Sequence, residues 1–328
     1  MNIEIKPPLH GEAIAKFVNP DWTAKGEPRA RVALTKLETL WFNTGTLCNI
    51  TCVNCYIESS PKNDRLVYIT ASEVAGVLDD VAREGYGTRE IGFTGGEPFL
   101  NPDMVAMADV ALTRGFSVLI LTNAMQPMQR PKVVAGLLDL KRRFADQLTL
   151  RVSLDHYTRE LHETERGQDT WDKVLAGLGW LSAEGFNIAI AGRTCWGESD
   201  DAARQGYARL ISDRGWAIDA ADPTRLMLFP EMDGKVDVPE ISTSCWKILD
   251  KHPSQMMCAT SRMIAKRKGA DSLTVLPCTL LPYDQRFDMG DTLVQSMAAS
   301  GGMFEAGAVK LCHQHCAKFC VLGGGSCS

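Results

Sequence analysis

Short runs rich in β-branched and aromatic residues alternate with longer stretches of helical period from about residue 36 to 230. The runs are TLWFNTG, REIGFTGG, SVLILTN, LTLRVSL, NIAIAGR and RLMLFP. Between them lie ASEVAGVLDDVAREG, PDMVAMADVALTRG, RPKVVAGLLDLKRRFA, TWDKVLAGLGWLSAEG and DDAARQGYARLISDRG. This alternation predicts βα units building a parallel sheet. Several helical stretches end in glycine, and the first and last open near Thr/Ser or Asp caps. Six such units predict an α/β fold, a partial (β/α)6 TIM-like barrel. An open doubly wound sheet has the same alternation, so the period alone leaves both open.

The polar residues add a site to this pattern. Cys48, Gly95, Asn123, Ser153 and Arg193 each fall at or just past the C-terminal end of a predicted strand, the face where barrels and α/β sheets bind ligands. They are expected to converge. Beyond residue 230 the rhythm stops at FPEMDGKVDVPEIS, an acidic, proline-containing connector. The organisation expected is an arm at 1–35, a barrel at 36–230, a connector at 231–257 and a small cysteine-rich unit at 258–328. That last unit has one convincing strand, SLTVLP, two glycine clusters (Gly301–Gly302 and Gly323 to Gly325) and little apolar material, so metal is expected to hold it. The arm, with its turn-rich KPPLHGE and NPDWTAKGEPRARV, is expected beneath the barrel or over its mouth.

At 328 residues the chain can bury a large core, and a formal net charge of −5 advertises neither nucleic acid nor an anionic membrane. The segment MNIEIKPPLHGEAIAKF has no basic region followed by an apolar one, and no apolar run is long enough to span a bilayer, so a cytoplasmic protein is expected. Eleven cysteines are many for a reducing compartment and point to metal or redox chemistry. Three lie at 48, 52 and 55, seven at 245, 258, 278, 312, 316, 320 and 327, and Cys195 stands alone, expected as a small buried hydrophobe.

The spacing C-x3-C-x2-C in LCNITCVNCY follows the first predicted strand. Three thiolates on one loop can hold three corners of a [4Fe–4S] cubane and leave the fourth iron open. Structural zinc usually takes four protein ligands, and no paired partner follows here. Downstream, GFTGGEP at 92–98 places glycines that let backbone approach a ligand beside a carboxylate that can accept from an ammonium group. Its plainer reading is a tight β-to-α turn with Glu97 in the first helical turn.

Together these segments resemble the radical S-adenosylmethionine (radical SAM) superfamily. The resemblance implies that Cys48, Cys52 and Cys55 carry a [4Fe–4S] cluster whose open iron chelates SAM. Reductive cleavage then yields methionine and a 5′-deoxyadenosyl radical that abstracts hydrogen from substrate. It implies further that Gly95, Gly96 and Glu97 form the GGE motif for the SAM amino group, and that LTNA, with Asn123, matches the family's TNG strand end. In SLDHYTRELHETERG, the S-x-D segment and the RG pair after its H-containing turn would place Ser153 and Arg166 at the SAM carboxylate and ribose. There Asp155 shapes the strand end. The plainer reading of Arg166 is a surface ion pair with Glu163 or Glu165. Many members have an aromatic before the third cysteine; here Asn54 precedes it, and Tyr56, which follows, is assigned to adenine.

Cys258 and Cys278 flank Gly269 in a hairpin-like segment, and Cys312, Cys316, Cys320 and Cys327 follow at C-x3-C-x3-C-x6-C. These resemble the SPASM or twitch extensions of the superfamily, which implies at least one auxiliary [4Fe–4S] cluster. The tail departs from the full SPASM run C-x2-C-x5-C-x3-C. With Cys245 the candidate ligands number seven, more than one cluster needs and fewer than two closed ones. Zinc is the alternative, with His313 and His315 as further ligands; otherwise those histidines are solvated tail residues.

The resemblance implies a radical SAM enzyme, reduced by a flavodoxin or ferredoxin, that performs an oxidative modification or cross-link of a ribosomal peptide. Against a peptide, the 35 residues before the barrel are too few for a fused leader-peptide recognition domain. The alternatives are the same chemistry on a small metabolite or cofactor precursor, and a non-catalytic iron–sulfur carrier or scaffold, which has no use for GGEP. No side chain stands out as a catalytic acid, base or nucleophile.

Overall fold

Five of the six apolar runs lie inside the sheet, where both faces are covered and the run can be apolar throughout, while the last, RLMLFP, is an edge strand and only partly buried. The computed structural model describes residues 15–230 and 236–323. In chain order its elements begin with β1 (Arg31–Val32), β2 (Thr39–Asn43), α1 (Ala71–Glu84), β3 (Glu90–Thr94), α2 (Met104–Thr113), β4 (Ser117–Thr122) and α3 (Pro131–Phe144). Then come β5 (Leu148–Ser153), α4 (Arg159–Arg166), α5 (Trp171–Ala183), β6 (Asn187–Arg193), α6 (Asp200–Arg214) and β7 (Leu226–Phe229). After these come α7 (Cys245–Ile248), β8 (Ser261–Ala265), β9 (Thr274–Leu276), α8 (Leu293–Ala298), β10 (Phe304–Glu305), β11 (Ala308–Lys310) and a π-helical segment (Cys316–Leu322), with short 3-10 turns between elements.

Strands β2 to β7 are neighbours in sequence order and all parallel, with Phe42 opposite Phe93 and Phe93 opposite Ile120. A doubly wound sheet reverses its strand order at a switch point. This run has no reversal, and residues from β2, β4, β5, β6 and β7 face one cavity, so the sheet curls as a partial barrel. The helix signals act as expected. Thr70 and Glu73 form a capping box on α1, and Gly85 ends it at φ 66°. Ser199 caps α6, which Gly215 ends at the same angle.

Three features differ from the sequence expectation. Helix α4 lies in the segment read as a turn; it has little apolar periodicity because the face it buries carries His162 and Glu165. Among its described residues the C-terminal unit holds four strands where one was expected, and one of them, β8, pairs parallel with β2 and antiparallel with β9. Its hairpin thus extends the barrel sheet, and Met263, Ile264, Val275 and Leu276 join the common core. The unit therefore has more apolar material than its composition suggested. The described part of the arm, from residue 15 on, is tied to the C-terminal unit: β1 pairs with β11, and β11 with β10. Among the described residues no helix is long and apolar enough to cross a membrane.

Candidate functional site

The C-terminal ends of the barrel strands open onto one cavity of about 1330 Å³, its open mouth included. Cys48, Cys52 and Cys55 lie on its wall, carried by the loop after β2. Several residues far away in sequence hold that loop. The Cys48 N–H donates to the Ser60 carbonyl at 3.1 Å, and the Val53 N–H to the Glu165 carbonyl at 2.8 Å. The Glu165 carboxylate then accepts from both the backbone and the side-chain amide of Asn54, at 2.9 and 3.0 Å. Burial pushes the Cys48 thiol up to about 12 and the Cys52 thiol up to about 11, so without iron both are neutral. Among the described residues no three Cys, His, Asp or Glu side chains are placed to grip a single metal ion. A cubane is bound differently, each thiolate on a different iron.

Gly95 and Gly96 line the same wall, but their glycine character answers to the protein itself. A Cβ on Gly95 would stand 2.4 Å from the Gly45 carbonyl oxygen, and one on Gly96 2.1 Å from that of Leu47. The turn is pressed onto the cysteine loop, with the Gly96 N–H donating to Gly45 and the Glu97 N–H to Leu47. Glu97, expected to face an amino group, lies behind the wall. It is buried, with Oε1 accepting from the Phe99 N–H (3.1 Å) and the Thr122 hydroxyl (2.8 Å) and Oε2 from the Asn123 N–H (2.8 Å). Burial raises its pKa against the pull of these donors. Asn123 reaches the cavity, and its amide donates to Asn49 Oδ1 at 2.9 Å, beside Cys48.

Ser153 and Tyr56 are also on the wall, as is Arg166. Arg166 makes no surface pair with Glu163 or Glu165. It is held by Asp155, Nε to Oδ2 at 2.7 Å and Nη2 to Oδ1 at 3.1 Å. Burial works to raise the Asp155 pKa, but the guanidiniums of Arg166 and Arg193 outweigh it and keep the carboxyl ionised. Arg193 bridges the network, 3.6 Å from Asp155 and 3.4 Å from Glu165. Two carboxylates and two guanidiniums thus balance, and burying them is tolerable because they are paired. Arg193 Nη1 is buried on this wall with no partner among the described residues. A donor without an acceptor, next to three thiols, fits a cavity built for a polar ligand bound beside a cluster.

The reading from sequence missed Glu165, whose hold on Asn54 nothing in ETERG announces, and the apolar lining of Trp41, Leu121 and Phe229. It also missed that Leu280 and Phe319, from the cysteine-rich unit, complete the wall. Cys316 has the thiols of Cys278, Cys258 and Cys312 as its electrostatic neighbours, and all four are buried. Cys245 and Cys320 are partly exposed, and Cys327 lies outside the described residues. His313 and His315 are not solvated tail residues. Their rings pack 4.5 Å apart between Phe287 and Phe319, and His315 Nδ1 meets the Leu280 carbonyl at 3.1 Å. Cys195 is partly exposed rather than buried.

The family model of the radical SAM superfamily matches residues 42–202. Among curated proteins the chain is similar to the antilisterial bacteriocin subtilosin biosynthesis protein AlbA of Bacillus subtilis, 29% identical over 145 residues, 44% of this chain and 30% of that one. It is similar also to the mycofactocin maturase MftC of Mycobacterium tuberculosis, 30% identical over 139 residues, 42% of this chain and 33% of that one. The chain thus matches about a third of the length of these relatives. In fold it resembles Streptococcus suis SuiB bound to precursor peptide SuiA, with a TM-score of 0.59 over 82% of this chain and 66% of that one, at 13% identity. It also resembles anSMEcpe with bound AdoMet, TM-score 0.56 over 80% and 78%, at 16% identity.

Proposed function

We propose that the protein is a radical SAM enzyme, as the match of residues 42–202 to that family model supports, that it binds a [4Fe–4S] cluster on Cys48, Cys52 and Cys55, and that it oxidatively modifies or cross-links a ribosomally made peptide. The observation that carries this reading is that the three thiols, the glycine turn and the C-terminal wall face one cavity. Tyr56, Gly95, Gly96, Asn123, Ser153 and Arg166 would hold S-adenosylmethionine there, with Glu97 fixing the turn from behind. When bound, the cluster and S-adenosylmethionine supply reductive carbon–sulfur cleavage and a carbon-centred radical that takes hydrogen from substrate.

The protein's part is to position and to exclude. The Asp155 pair keeps the Arg166 guanidinium charged and still, while Trp41, Leu121 and Phe229 keep water from the reacting atoms. The barrel at 36–230 and the cysteine-rich unit at 258–328, with the arm at 1–35 and the connector at 231–257, form the proposed division. Within it Cys258, Cys278, Cys312 and Cys316 are the proposed ligands of one auxiliary [4Fe–4S] cluster. A flavodoxin or ferredoxin is the proposed reductant. A peptide substrate is supported by the relatives' names, a bacteriocin biosynthesis protein and a maturase, and by the SuiB structure with its precursor peptide.

The test is anaerobic reconstitution, addition of S-adenosylmethionine and dithionite, and assay of 5′-deoxyadenosine. Product well above a Cys55→Ala control is expected, and its absence overturns the catalytic reading. Incubation with small peptides encoded beside the gene is expected to give a product lighter by lost hydrogen, and unchanged peptide masses overturn the substrate class.

A further inference from the structure

Arg262 on β8 is wholly buried, yet among the described residues no carboxylate pairs with it. Its Nη1 donates to the carbonyls of Cys258 at 2.7 Å and Ser261 at 2.8 Å, and its Nη2 to that of Gly307 at 3.1 Å. Its Nε is buried with no partner among the described residues. The groups within its electrostatic reach that can take negative charge are the thiols of Cys258 and Cys278. A guanidinium removed from water without a counter-ion is strongly disfavoured, and three carbonyl dipoles offset only part of that. The contrast with the barrel site is direct, where Arg166 and Arg193 each meet a carboxylate. Here the balancing charge has to come with a ligand, and iron ligation supplies it by replacing the thiol protons.

We propose that Arg262 is the counter-charge of an iron–sulfur cluster on Cys258, Cys278, Cys312 and Cys316, and that it sets that cluster's reduction potential higher than an uncharged residue would. The inference rests on the auxiliary cluster proposed above. The couple is a one-electron change in which the cluster gains one negative charge and no bond forms or breaks. A nearby cation stabilises the reduced state more than the oxidised one, and the effect is large because the dry surroundings screen little. A cluster poised upward in this way is the better acceptor for an electron released when a substrate is oxidised.

The experiment uses the full chain, reconstituted with iron and sulfide, carrying Cys48→Ala, Cys52→Ala and Cys55→Ala so that the remaining cluster is read alone. Iron and sulfide counting comes first: no cluster there ends the underlying reading, and the proposal falls with it. With the cluster present, a redox titration followed by electron paramagnetic resonance compares Arg262→Met and Arg262→Lys with that parent. In Arg262→Met the ratio of reduced to oxidised cluster at a fixed potential is expected to fall about tenfold, which is 59 mV for a one-electron couple. Arg262→Lys, which keeps the charge and loses the guanidinium's fork, is expected to stay close to the parent. An unchanged potential in Arg262→Met overturns the proposal. So does an equal fall in Arg262→Lys, which would make the residue a clamp on carbonyls. If Arg262→Met does not accumulate as folded protein, Arg262→Gln, also uncharged, takes its place: the same tenfold fall is expected, and an unchanged potential overturns the proposal.

Discussion

Glu165 holds Asn54 at two points, its Oε1 accepting the backbone N–H and its Oε2 the side-chain amide, and the same carboxylate faces Arg193 at 3.4 Å. Asn54 lies between Cys52 and Cys55, so one buried charge fixes the part of the loop that presents two of the three thiols. In Glu165→Gln an amide N–H must point at Asn54 or at Arg193, and the guanidinium loses a counter-charge. Removing one partner of a buried pair typically costs about 3–5 kcal/mol. We therefore expect a lower unfolding midpoint for the anaerobic holoprotein and less iron per chain. Wild-type values for both would remove Glu165 from the support of the loop.

Gly96 tests the same loop from the opposite side. In Gly96→Ala the new methyl meets the Leu47 carbonyl oxygen at 2.1 Å and its carbon at 2.6 Å, and backbone cannot swing aside as a flexible side chain does. The cysteine loop must move, and iron content and 5′-deoxyadenosine formation are both expected to collapse. Gly76→Ala is the control. On α1 its Cβ meets nothing within 4 Å, so relief of helix-interior glycine should raise stability by about 0.5–1 kcal/mol and leave iron unchanged. Iron retained in Gly96→Ala would mean that the turn does not set the loop.

Much of this architecture is legible from sequence because the physics that makes it is periodic or local. Each apolar run found its place among β2 to β7, and Thr70, Ser199, Gly85 and Gly215 act where their chemistry says. What escaped is what depends on distant partners. Strand β8 has only Met263, Ile264 and Ala265 between charged neighbours, and becomes a strand through β2. Glu97 and Glu165 look like solvated acids, and their burial comes from Thr122, Asn123 and Asn54. Counting cysteines left seven candidates, and the fold brings Cys258, Cys278 and Cys312 to Cys316. Ala124 takes φ 57° at the place where the family pattern has glycine, a departure visible in LTNA with its strain visible only in the backbone.

His162 on α4 makes stability depend on pH. It is wholly buried against Trp171, neither ring nitrogen has a partner among the described residues, and burial pulls its pKa from 6.5 to about 4. Between these values the unfolded chain takes up a proton that the folded one refuses, so stability is lost as pH falls through this window. The full loss is about 3 kcal/mol by linkage. Denaturant unfolding at pH 7.5 and 5 is expected to show the drop in wild type and a clearly smaller one in His162→Leu. An equal drop in both would assign the acid sensitivity to other groups.

Tyr283 joins the two cysteine regions. Its hydroxyl donates to the Ile57 carbonyl at 2.6 Å and accepts from the Asn63 amide at 3.0 Å, while Arg65 lies over its ring at 3.5 Å. Ile57 follows the third cysteine of the loop, and Tyr283 follows Cys278, so this one hydroxyl ties the barrel loop to the C-terminal unit. In Tyr283→Phe the ring and its cation stay, and the loss of the hydroxyl is expected to cost about 1 kcal/mol. Hydrogen exchange should quicken over residues 56–63 while β8 and β9 stay protected. In Tyr283→Leu the cation contact goes as well, and a further loss of about 0.5–1 kcal/mol is expected. If exchange over 56–63 stays at the wild-type rate in both variants, the loop is fixed from the barrel alone and the C-terminal unit merely walls the cavity.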